Sequence, residues 1–425
     1  MTSDTGFRAG PVGADASAPA APPPAPAAPP PPAADQAADS GQPRRSGGRR
    51  RLPRWCKGTW LAVGASTAWV AFLGLHHLLS GRWWVWELVE LLPPLLFAVV
   101  PLAILAAPAV LRLVRVRLPK PATWWLVVAA VVALGLSTGM TGLNLHALRP
   151  AGGDAIPADA LRVVSWNAEH WHQHQDADRF YAYLTGMDAD VYLIQEYLYR
   201  GEEAPYKYDD TERLREEFPD YDLAVFGEFL TLSRYPIVSA TPVTIPQRRA
   251  YQGSAWSDYW LVKAFRTDVR VGTQTVSFYN VHLPTPVQFR YDPLSADFYR
   301  YTRDSRGWRQ AAFDVLSADL AGNCHPILVA GDFNATGVAR GVGRLDPRLR
   351  DALPANRELY PGTFALREVD WQLWRLDYAY TTADLRVHRY EFRDHEGLSD
   401  HDAQWLVVSL DPERSPATGC AAEGR

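Results

Sequence analysis

A segment in the C-terminal part of the chain reads Ile327-Leu328-Val329-Ala330-Gly331-Asp332-Phe333-Asn334. Its four consecutive apolar residues predict a buried strand, and polar residues follow directly after the strand ends. Open α/β sheets place their chemistry at this position. Asp332 and Asn334 are therefore candidates for a functional site, although the motif taken alone is also typical of an Asx-turn.

Polar residues stand at the ends of other predicted strands in the same part of the chain. They are Asn167 and Glu169 after Leu161–Trp166, Glu196 after Val191–Ile194, Asn280 and His282 in Thr275–Leu283, and Asp400 and His401 before Gln404–Leu410. Further strands are predicted at Glu228–Val238 and Trp256–Phe265, and helices at Asp178–Gly186 and Ser305–Leu320. Strands interleaved with helices over about 250 residues predict a single α/β sandwich domain.

The residue types at these strand ends suit one kind of chemistry. Asp, Asn and His on separate short elements can supply the metal ligand, the base and the oxyanion donors that metal-assisted attack on a phosphate requires. Each position has an ordinary explanation by itself, such as a solvated strand end. Their occurrence together in one domain favours a hydrolytic site.

The set of motifs resembles the endonuclease/exonuclease/phosphatase superfamily. The matching pieces, in the family's order, are Ser165-Trp166-Asn167, Ile194-Gln195-Glu196, Ser233-Arg234-Tyr235-Pro236-Ile237, Asn280-Val281-His282, Gly331-Asp332-Phe333-Asn334, Arg375-Leu376-Asp377-Tyr378 and Ser399-Asp400-His401. The resemblance implies a four-layer α/β sandwich, in which two packed mixed β-sheets are flanked by helices, with a site for Mg²⁺ or Mn²⁺ at one edge. Together with the three apolar runs in residues 58–146, these motifs make the chain similar to membrane-anchored actinobacterial proteins, including a group associated with glycopeptide resistance.

Catalytic roles are implied by position in the resemblance. Asp332 would position or deprotonate the attacking water, and Asn334 would bind a phosphoryl oxygen. His282 and His401 would contact the phosphate or move protons. Asp377 would accept a hydrogen bond from His401 and fix its tautomer. Whether Asp332 or His401 is the general base stays open.

The resemblance assigns the metal to a second group of residues. Glu196 would be the main ligand, helped by Asn167 and Asp400. A hard divalent cation prefers oxygen ligands, which these side chains supply. Glu169 stands where many nuclease members carry Asp, and its longer side chain leaves open whether it ligates the metal or supports the residues that do.

Two further groups have competing interpretations. His170, His172 and His174 could form a separate transition-metal site, but a polar loop near the mouth of the site is the more ordinary interpretation. Arg306 and Arg309 lie on the helix predicted after His282. Either could steer a phosphate, whereas arginines on a helix surface are usually solvated.

The N-terminal part has a different composition. An Ala/Pro-rich stretch ending in a basic cluster predicts a disordered cytoplasmic tail at residues 1–57. Residues 58–146 contain three apolar runs, predicted as transmembrane helices at about 60–79, 91–111 and 123–145. Residues 147–160 are predicted to be a linker, 161–412 the catalytic domain and 413–425 a flexible tail.

Lysines and arginines in the short connections predict the orientation of these helices. Seven such residues lie between positions 44 and 57, one (Arg82) follows the first run, and four lie between positions 112 and 120. Since positive charge stays inside, we expect a multi-pass protein of the cell membrane with a cytoplasmic N-terminus and an extracytoplasmic catalytic domain. The abundance of Arg, Ala and Pro suggests a bacterial source.

Charge is distributed unevenly along the chain. Residues 1–150 carry 14 lysines and arginines against 6 acidic residues, while residues 151–425 carry 29 against 41. A duplex-binding enzyme normally neutralises several phosphates with basic residues, so the acidic catalytic part disfavours a nuclease. The three cysteines have no metal-ligand spacing, and Cys324 and Cys420 could pair if the domain is extracytoplasmic.

These patterns lead to a ranked expectation about function. We expect a membrane-anchored, divalent-metal-dependent phosphoesterase that hydrolyses a phosphate or pyrophosphate ester by attack of water. A lipid-linked substrate is preferred because the domain is expected at the bilayer, and no protein partner is inferred. The alternatives are an extracellular nuclease acting on DNA or RNA, and a catalytically inactive membrane sensor or scaffold.

Overall fold

The computed structural model describes residues 55–150, 155–202, 204–246, 256–288, 290–339, 345–365 and 371–411. The predicted tail at 413–425 and residues 1–54 of the predicted N-terminal tail lie outside the described residues. Part of the predicted linker, residues 151–154, also lies outside them. The same is true of Cys420, so its pairing with Cys324 stays a prediction.

The N-terminal part contains three apolar helices. They are α1 (Lys57–Leu79), α3 (Leu96–Leu113) and α4 (Lys120–Leu136), and the short helix α2 (Glu87–Glu90) precedes α3. Among the described residues, α1 and α3 are long and apolar enough to cross a membrane, whereas α4 has 17 residues. Three transmembrane helices are therefore not confirmed.

The helix boundaries differ from the predicted ones for local reasons. The second run was expected from residue 91, but α3 begins at Leu96 because Pro93 and Pro94 restrict the residues before them and cannot donate a helical hydrogen bond. The third run was expected to reach residue 145. Instead α4 ends at Leu136, and Gly139 follows with φ +83°, a conformation that turns the chain out of the helix.

The rest of the described chain forms an α/β domain. Its strands in chain order are β1 (Leu161–Asn167), β2 (Val191–Gln195), β3 (Tyr199–Arg200), β4 (Pro205–Tyr206), β5 (Asp222–Phe226), β6 (Phe229–Ser233), β7 (Ile237–Thr244), β8 (Val262–Val271), β9 (Gln274–His282), β10 (Ile327–Asp332), β11 (Arg350–Asp351), β12 (Asp377–Thr381), β13 (Leu385–Arg393) and β14 (Ala403–Leu410). The helices are α5 (Ala177–Gly186), α6 (Thr211–Glu217), α7 (Ser257–Leu261) and α8 (Ala296–Gly322).

Two six-stranded sheets pack face to face. Their strand orders are β13-β14-β1-β2-β6-β5 and β11-β12-β10-β9-β8-β7. Each sheet is mixed, because β1 and β2 are parallel in the first and β9 and β10 in the second, while the other neighbours run antiparallel. The predicted fold of two packed mixed sheets flanked by helices is confirmed.

The hydrophobic core is divided by the two sheets. One cluster lies between the sheets and includes Val163 and Leu193 of the first sheet and Phe278 and Leu328 of the second. A second cluster covers the outer face of the first sheet with residues of α5 and α6. A third packs α8 against the outer face of the second sheet. The resulting layers are helix, sheet, sheet and helix.

Two predicted strands are wrong in detail. Glu228–Val238 is not one strand but β6 and β7, which belong to different sheets. Pro236, which lacks a backbone N–H, lies in the turn between them. Trp256–Phe265 begins as helix α7 and becomes a strand only at Val262.

Candidate active site

Three neighbouring strands of the second sheet align polar residues in one row. Asp332, the last residue of β10, is in register with His282 at the end of β9 and with Asp377 at the start of β12. Gly331 makes this close alignment possible: its φ is +149°, and a Cβ there would lie 1.9 Å from the carbonyl oxygen of Val281. No residue with a side chain fits at position 331.

The first sheet contributes residues from the ends of its parallel strands. Asn167 ends β1, and Glu196 follows β2 with φ +59°, a strained conformation for a residue with a side chain. Asn167 Nδ2 lies 3.3 Å from Glu196 Oε1 and 3.2 Å from Asp332 Oδ2. A single amide therefore joins one carboxylate from each sheet.

His401 is held from both sides. Its Nδ1 lies 2.8 Å from Asp377 Oδ2, and its Nε2 lies 3.7 Å from Asp332 Oδ2. Trp166 Nε1 donates to the carbonyl oxygen of His401 at 2.9 Å, and this bond holds the backbone of His401 against β1. Burial lowers the pKa of His401, but the charges of Asp377 and Asp332 outweigh it and raise that pKa well above its usual value.

His282 has a carboxylate partner of its own. Its Nδ1 lies 2.8 Å from Glu228 Oε2, and the other oxygen of Glu228 accepts a hydrogen bond from Lys263. Glu228 and Lys263 are buried. Burial lowers the pKa of His282, but the negative charge of Glu228 prevails and raises it to about 8. Neither Glu228 nor Lys263 was predicted as a site residue, because neither stands in a motif. Glu228 contacts His282, and Lys263 contacts Glu228, only across the fold.

Asn334 is anchored beside the carboxylate row. Its backbone N–H donates to Asp332 Oδ1 at 2.7 Å, and its Nδ2 donates to Asp332 Oδ2 and to the carbonyl oxygen of Leu283, both at 2.9 Å. Burial is the main cause that raises the pKa of Asp332 to about 6, although His401 and His282 oppose it. The structure thus brings Asp332, Asn334, His282, His401 and Asp377 together at one edge of the sandwich.

The carboxylates fit a divalent cation. Glu196 Oε1 and Asp332 Oδ2 approach the same amide group and lie 3.8 and 3.7 Å from His282 Nε2. Such convergent oxygen donors suit a hard cation. Asp400 and Glu169 line the same cavity as Glu196. The individual ligand roles of Glu196, Asn167, Asp400 and Glu169 stay predictions.

Another group in the described part of the chain also has a spacing that could hold a metal. Potential ligand atoms of Asp332, Asp377 and His401 lie within 4.8 Å of one another. In this group Asp377 Oδ2 is already engaged by His401 Nδ1. We therefore interpret Asp377 as a residue that orients the imidazole, with the Glu196 side of the site left for the cation.

The cavity at this edge has a volume of about 590 Å³. All the predicted site residues except Asp377 line it, together with apolar and aromatic side chains, among them Leu198, Trp260, Pro286, Val287, Phe364 and Trp374. Four of its lining residues come from the connection between α1 and α3: Gly81, Glu87, Glu90 and Leu91. The N-terminal part of the chain therefore contributes to the wall of the site.

Two of the three histidines after Asn167 have different carboxylate partners. His170 lies beside Glu196, with its Nε2 3.4 Å from Glu196 Oε2. His172 Nε2 instead lies 2.8 Å from Asp210 Oδ2. Asp210 also accepts from the indole of Trp171 at 3.0 Å, so His172 belongs to a hydrogen-bonded cluster that supports the loop.

The fold and the gathered side chains define a hydrolase that acts on phosphate ester bonds. The sequence profile of the Endonuclease/Exonuclease/phosphatase family matches residues 164–401 of this chain. The chain belongs to this family. None of the curated proteins compared with the chain matches it.

Solved structures of similar proteins come from several bacteria. An endonuclease/exonuclease/phosphatase from Bacteroides vulgatus is 16% identical, with 59% of this chain and 99% of that chain covered and a TM-score of 0.42. One from Beutenbergia cavernae is 18% identical, with 59% and 72% covered and a TM-score of 0.43. A mannosyl-6-phosphatase from Bacteroides thetaiotaomicron is 15% identical, with 59% and 100% covered and a TM-score of 0.40.

Proposed function

We propose that this chain is a membrane-anchored phosphoesterase whose catalytic domain lies outside the cell membrane and hydrolyses a lipid-linked phosphate or pyrophosphate ester. The observation that carries the proposal is the wall of the active-site cavity. Residues between α1 and α3 line that cavity together with Asp332 and His401. A substrate held at the bilayer would thus meet the reacting groups where the apolar helices end.

Direct hydrogen bonds hold this connection against the catalytic domain. Trp374 Nε1 donates to the carbonyl oxygen of Leu91 at 3.0 Å, and Thr336 Oγ1 donates to that of Glu90 at 2.9 Å. Thr336 lies two residues beyond Asn334. The connection between α1 and α3 is therefore hydrogen-bonded to the catalytic domain within a few residues of Asn334, whose amide is predicted to bind the phosphate.

The ends of all three apolar helices support the proposed topology. His76, in the last turn of α1, lies with Nε2 3.0 Å from the carbonyl oxygen of Val338, and Asn144, after α4, donates its backbone N–H to Leu359 at 2.9 Å. Helix α3 starts on this same side, directly after the connection that lines the cavity. The ends predicted to lie outside are thus the ends that contact the catalytic domain.

Lengths and cysteine chemistry agree with this arrangement. At 1.5 Å per residue the three helices are about 35, 27 and 26 Å long, against a hydrocarbon core of about 30 Å. We propose that α4 is the third span, completed by residues beyond its last helical turn. The predicted pairing of Cys324 with Cys420 would suit an oxidising compartment outside the cytoplasm.

Different residues of the chain would hold the metal ion and take up the proton in the proposed reaction. A Mg²⁺ or Mn²⁺ ion held by Glu196, Asn167 and Asp400 would stabilise charge on the phosphoryl oxygens. Asp332, held by two amide side chains between two imidazoles, is placed to take the proton of the attacking water.

The two histidines are placed to bind the phosphate. Each imidazole has Nδ1 against a buried carboxylate and Nε2 towards Asp332. The carboxylates of Glu228 and Asp377 fix the ring orientations and favour the protonated rings. Both Nε2–H groups can then donate to phosphoryl oxygens, and the amide of Asn334 provides a further donor.

A nuclease is the less favoured alternative. The described cavity contains six carboxylates, those of Glu87, Glu90, Glu169, Glu196, Asp332 and Asp400, against five basic side chains, those of Arg200, Lys263, Arg290, Arg306 and Arg309. This balance lacks the excess of positive charge that a nucleic-acid groove uses. An inactive scaffold is disfavoured by the presence of acid, amide and imidazole groups at all the predicted positions.

Phosphate release by the detergent-solubilised full-length protein tests the proposal. Undecaprenyl pyrophosphate, a phospholipid and a DNA duplex would be compared in the presence of Mg²⁺, with Asp332→Ala and His401→Ala as inactive controls. We expect release from a lipid substrate that both substitutions abolish. Cleavage of DNA alone, lost in the same variants, would replace the proposal with the nuclease.

A further inference from the structure

Arg309 presents an incompletely paired guanidinium to the active-site cavity. It lies on α8 and lines the cavity together with Asp332 and Asn334. Its Nη1 donates to the carbonyl oxygen of Pro284, and this is its one hydrogen bond among the described residues. A guanidinium has five N–H donors, so most of the donors of Arg309 are available to a bound molecule.

The position of Arg309 along the cavity wall is set by consecutive carbonyl groups. Asn334 Nδ2 donates to the carbonyl oxygen of Leu283, and Arg309 donates to that of the next residue, Pro284. Consecutive Cα atoms are about 3.8 Å apart. The guanidinium and the amide that is expected to bind the attacked phosphoryl group are therefore both anchored to the segment Leu283–Pro284 of the cavity wall.

The neighbouring arginine on the same helix is already engaged. Arg306 donates to Glu87 Oε1 at 3.4 Å and to the carbonyl oxygen of Gly81 at 2.7 Å, and so fastens α8 to the connection between α1 and α3. Within the described residues no carboxylate oxygen lies within 4 Å of the Arg309 guanidinium, whereas Arg306 has one. The carboxylates of Glu87, Glu90 and Asp332 act on Arg309 only from a longer distance. A bound anion in direct contact with the guanidinium would further offset the cost of holding this cation in the cavity wall.

We propose that Arg309 recognises a second phosphoryl group next to the one that is attacked, so that pyrophosphate esters are the preferred substrate class. This inference rests on the proposed function and deepens it. The planar fork of arginine matches two phosphoryl oxygens, and its charge is placed where the leaving phosphate gains negative charge. Neither feature would be needed for a simple monophosphate ester.

The reaction that follows from this placement is a hydrolysis. Water oxygen forms a bond to the terminal phosphorus while the bond from that phosphorus to the bridging oxygen breaks. The proton leaves water for Asp332, and the bridging oxygen stays on the lipid monophosphate, next to Arg309. One water molecule is consumed, and orthophosphate and the lipid monophosphate are the products.

Binding of non-hydrolysable analogues tests the inference without turnover. Methylenediphosphonate and methylphosphonate would be titrated by calorimetry into the full-length protein in detergent, at equal free Mg²⁺. We expect the wild type to bind the diphosphonate at least about tenfold more tightly, and Arg309→Gln to lower this ratio about tenfold. Arg303→Gln is the matched control, because Arg303 lies on the same helix with its side chain 59% exposed and pairs with Asp304.

The ratio of the affinities for the two phosphonates distinguishes recognition of a second phosphoryl group from a purely structural role of Arg309. A ratio that is unchanged in Arg309→Gln, or an equal loss for both ligands, would overturn the inference. Arg309→Lys keeps the charge but loses the fork, so we expect an intermediate ratio from a protein with wild-type circular dichroism. If the wild type hydrolyses DNA and no lipid ester, the proposed function fails. If the wild type hydrolyses lipid esters but Arg309→Gln leaves the ratio of the two affinities unchanged, only the role of Arg309 is refuted.

Discussion

Asp377 Oδ2 lies 2.8 Å from His401 Nδ1 across the edge between the two sheets. Asp377 starts β12 of the second sheet, whereas His401 precedes β14 of the first. Both side chains are buried, so the imidazole has little freedom to turn. Because Nδ1 is occupied, Nε2 is the nitrogen directed towards Asp332.

Asp377→Asn tests this orientation. An asparagine can turn its amide nitrogen towards Nδ1 and favour the wrong tautomer, so we expect kcat to fall about 10³-fold with a smaller change in KM. Steady-state phosphate release measures both constants. Asp220→Asn, at an exposed position, is the matched control. A kcat within about threefold of the wild type would show that His401 needs no carboxylate partner.

Glu228 and Lys263 form a buried pair that a double substitution can assess. Glu228→Gln leaves the ammonium of Lys263 buried without its partner, so we expect a loss of about 3 kcal/mol in the free energy of unfolding. Replacing both residues, as Glu228→Gln with Lys263→Met, should recover part of this loss because the unpaired charge is gone. Denaturant unfolding followed by tryptophan fluorescence gives both values. Equal stability of the single and double variants would contradict the pairing.

Removal of the metal should abolish activity. We expect chelation by EDTA to stop phosphate release and added Mg²⁺ to restore it. Glu196→Gln loses a ligand charge, so it should need at least about tenfold more Mg²⁺ for half-maximal activity. Glu216→Gln, on the exposed side of α6, should match the wild type. The ligand role of Glu196 would be untenable if its variant had the wild-type Mg²⁺ requirement.

Glu87 should make the stability of the protein depend on pH. Burial is the main cause that raises the pKa of Glu87 from 4.5 to about 7, against the opposing charge of Arg309. Its Oε2 is buried and has no hydrogen-bond partner among the described residues, which favours the protonated form. The folded state therefore holds this proton more tightly than the unfolded state. The corresponding stabilisation is complete below about pH 4.5 and is lost as pH rises through about 7.

Glu87→Gln should remove this dependence. We expect the wild type to lose on the order of 3 kcal/mol between pH 4.5 and 7 relative to the variant. Thermal unfolding of both proteins across this range measures the difference. Parallel pH profiles would mean that Glu87 is ionised in the folded protein throughout.

Cys56 offers a test of the topology. It is a free, exposed cysteine directly before α1, where the cytoplasmic face of the membrane is expected. A membrane-impermeant maleimide should fail to label it in intact cells and should label it in inverted vesicles. A cysteine introduced as Asp292→Cys, at an exposed position of the catalytic domain, should show the opposite pattern. Labelling of both sites from one side would refute the proposed orientation.

Local patterns accounted for much of the fold. The runs Leu161–Trp166, Val191–Ile194 and Thr275–Leu283 are rich in apolar and β-branched residues over the length of one strand, and each corresponds to a strand of the structure. Pattern reasoning failed at Glu228–Val238, because an apolar run does not show which sheet each half will join. That choice depends on partners far away in the chain.

The family, the order of the strands along the chain and the polar residues at their ends could be predicted from the amino-acid sequence, because these follow from short motifs and from periodicity. The folded chain was needed to show that Glu228 and Lys263 pair behind His282, and that Glu87 and Arg309 belong to the wall of the cavity. Such contacts join residues separated by tens to hundreds of positions. They arise from the packing of sheets and helices, which leaves no local pattern in the sequence.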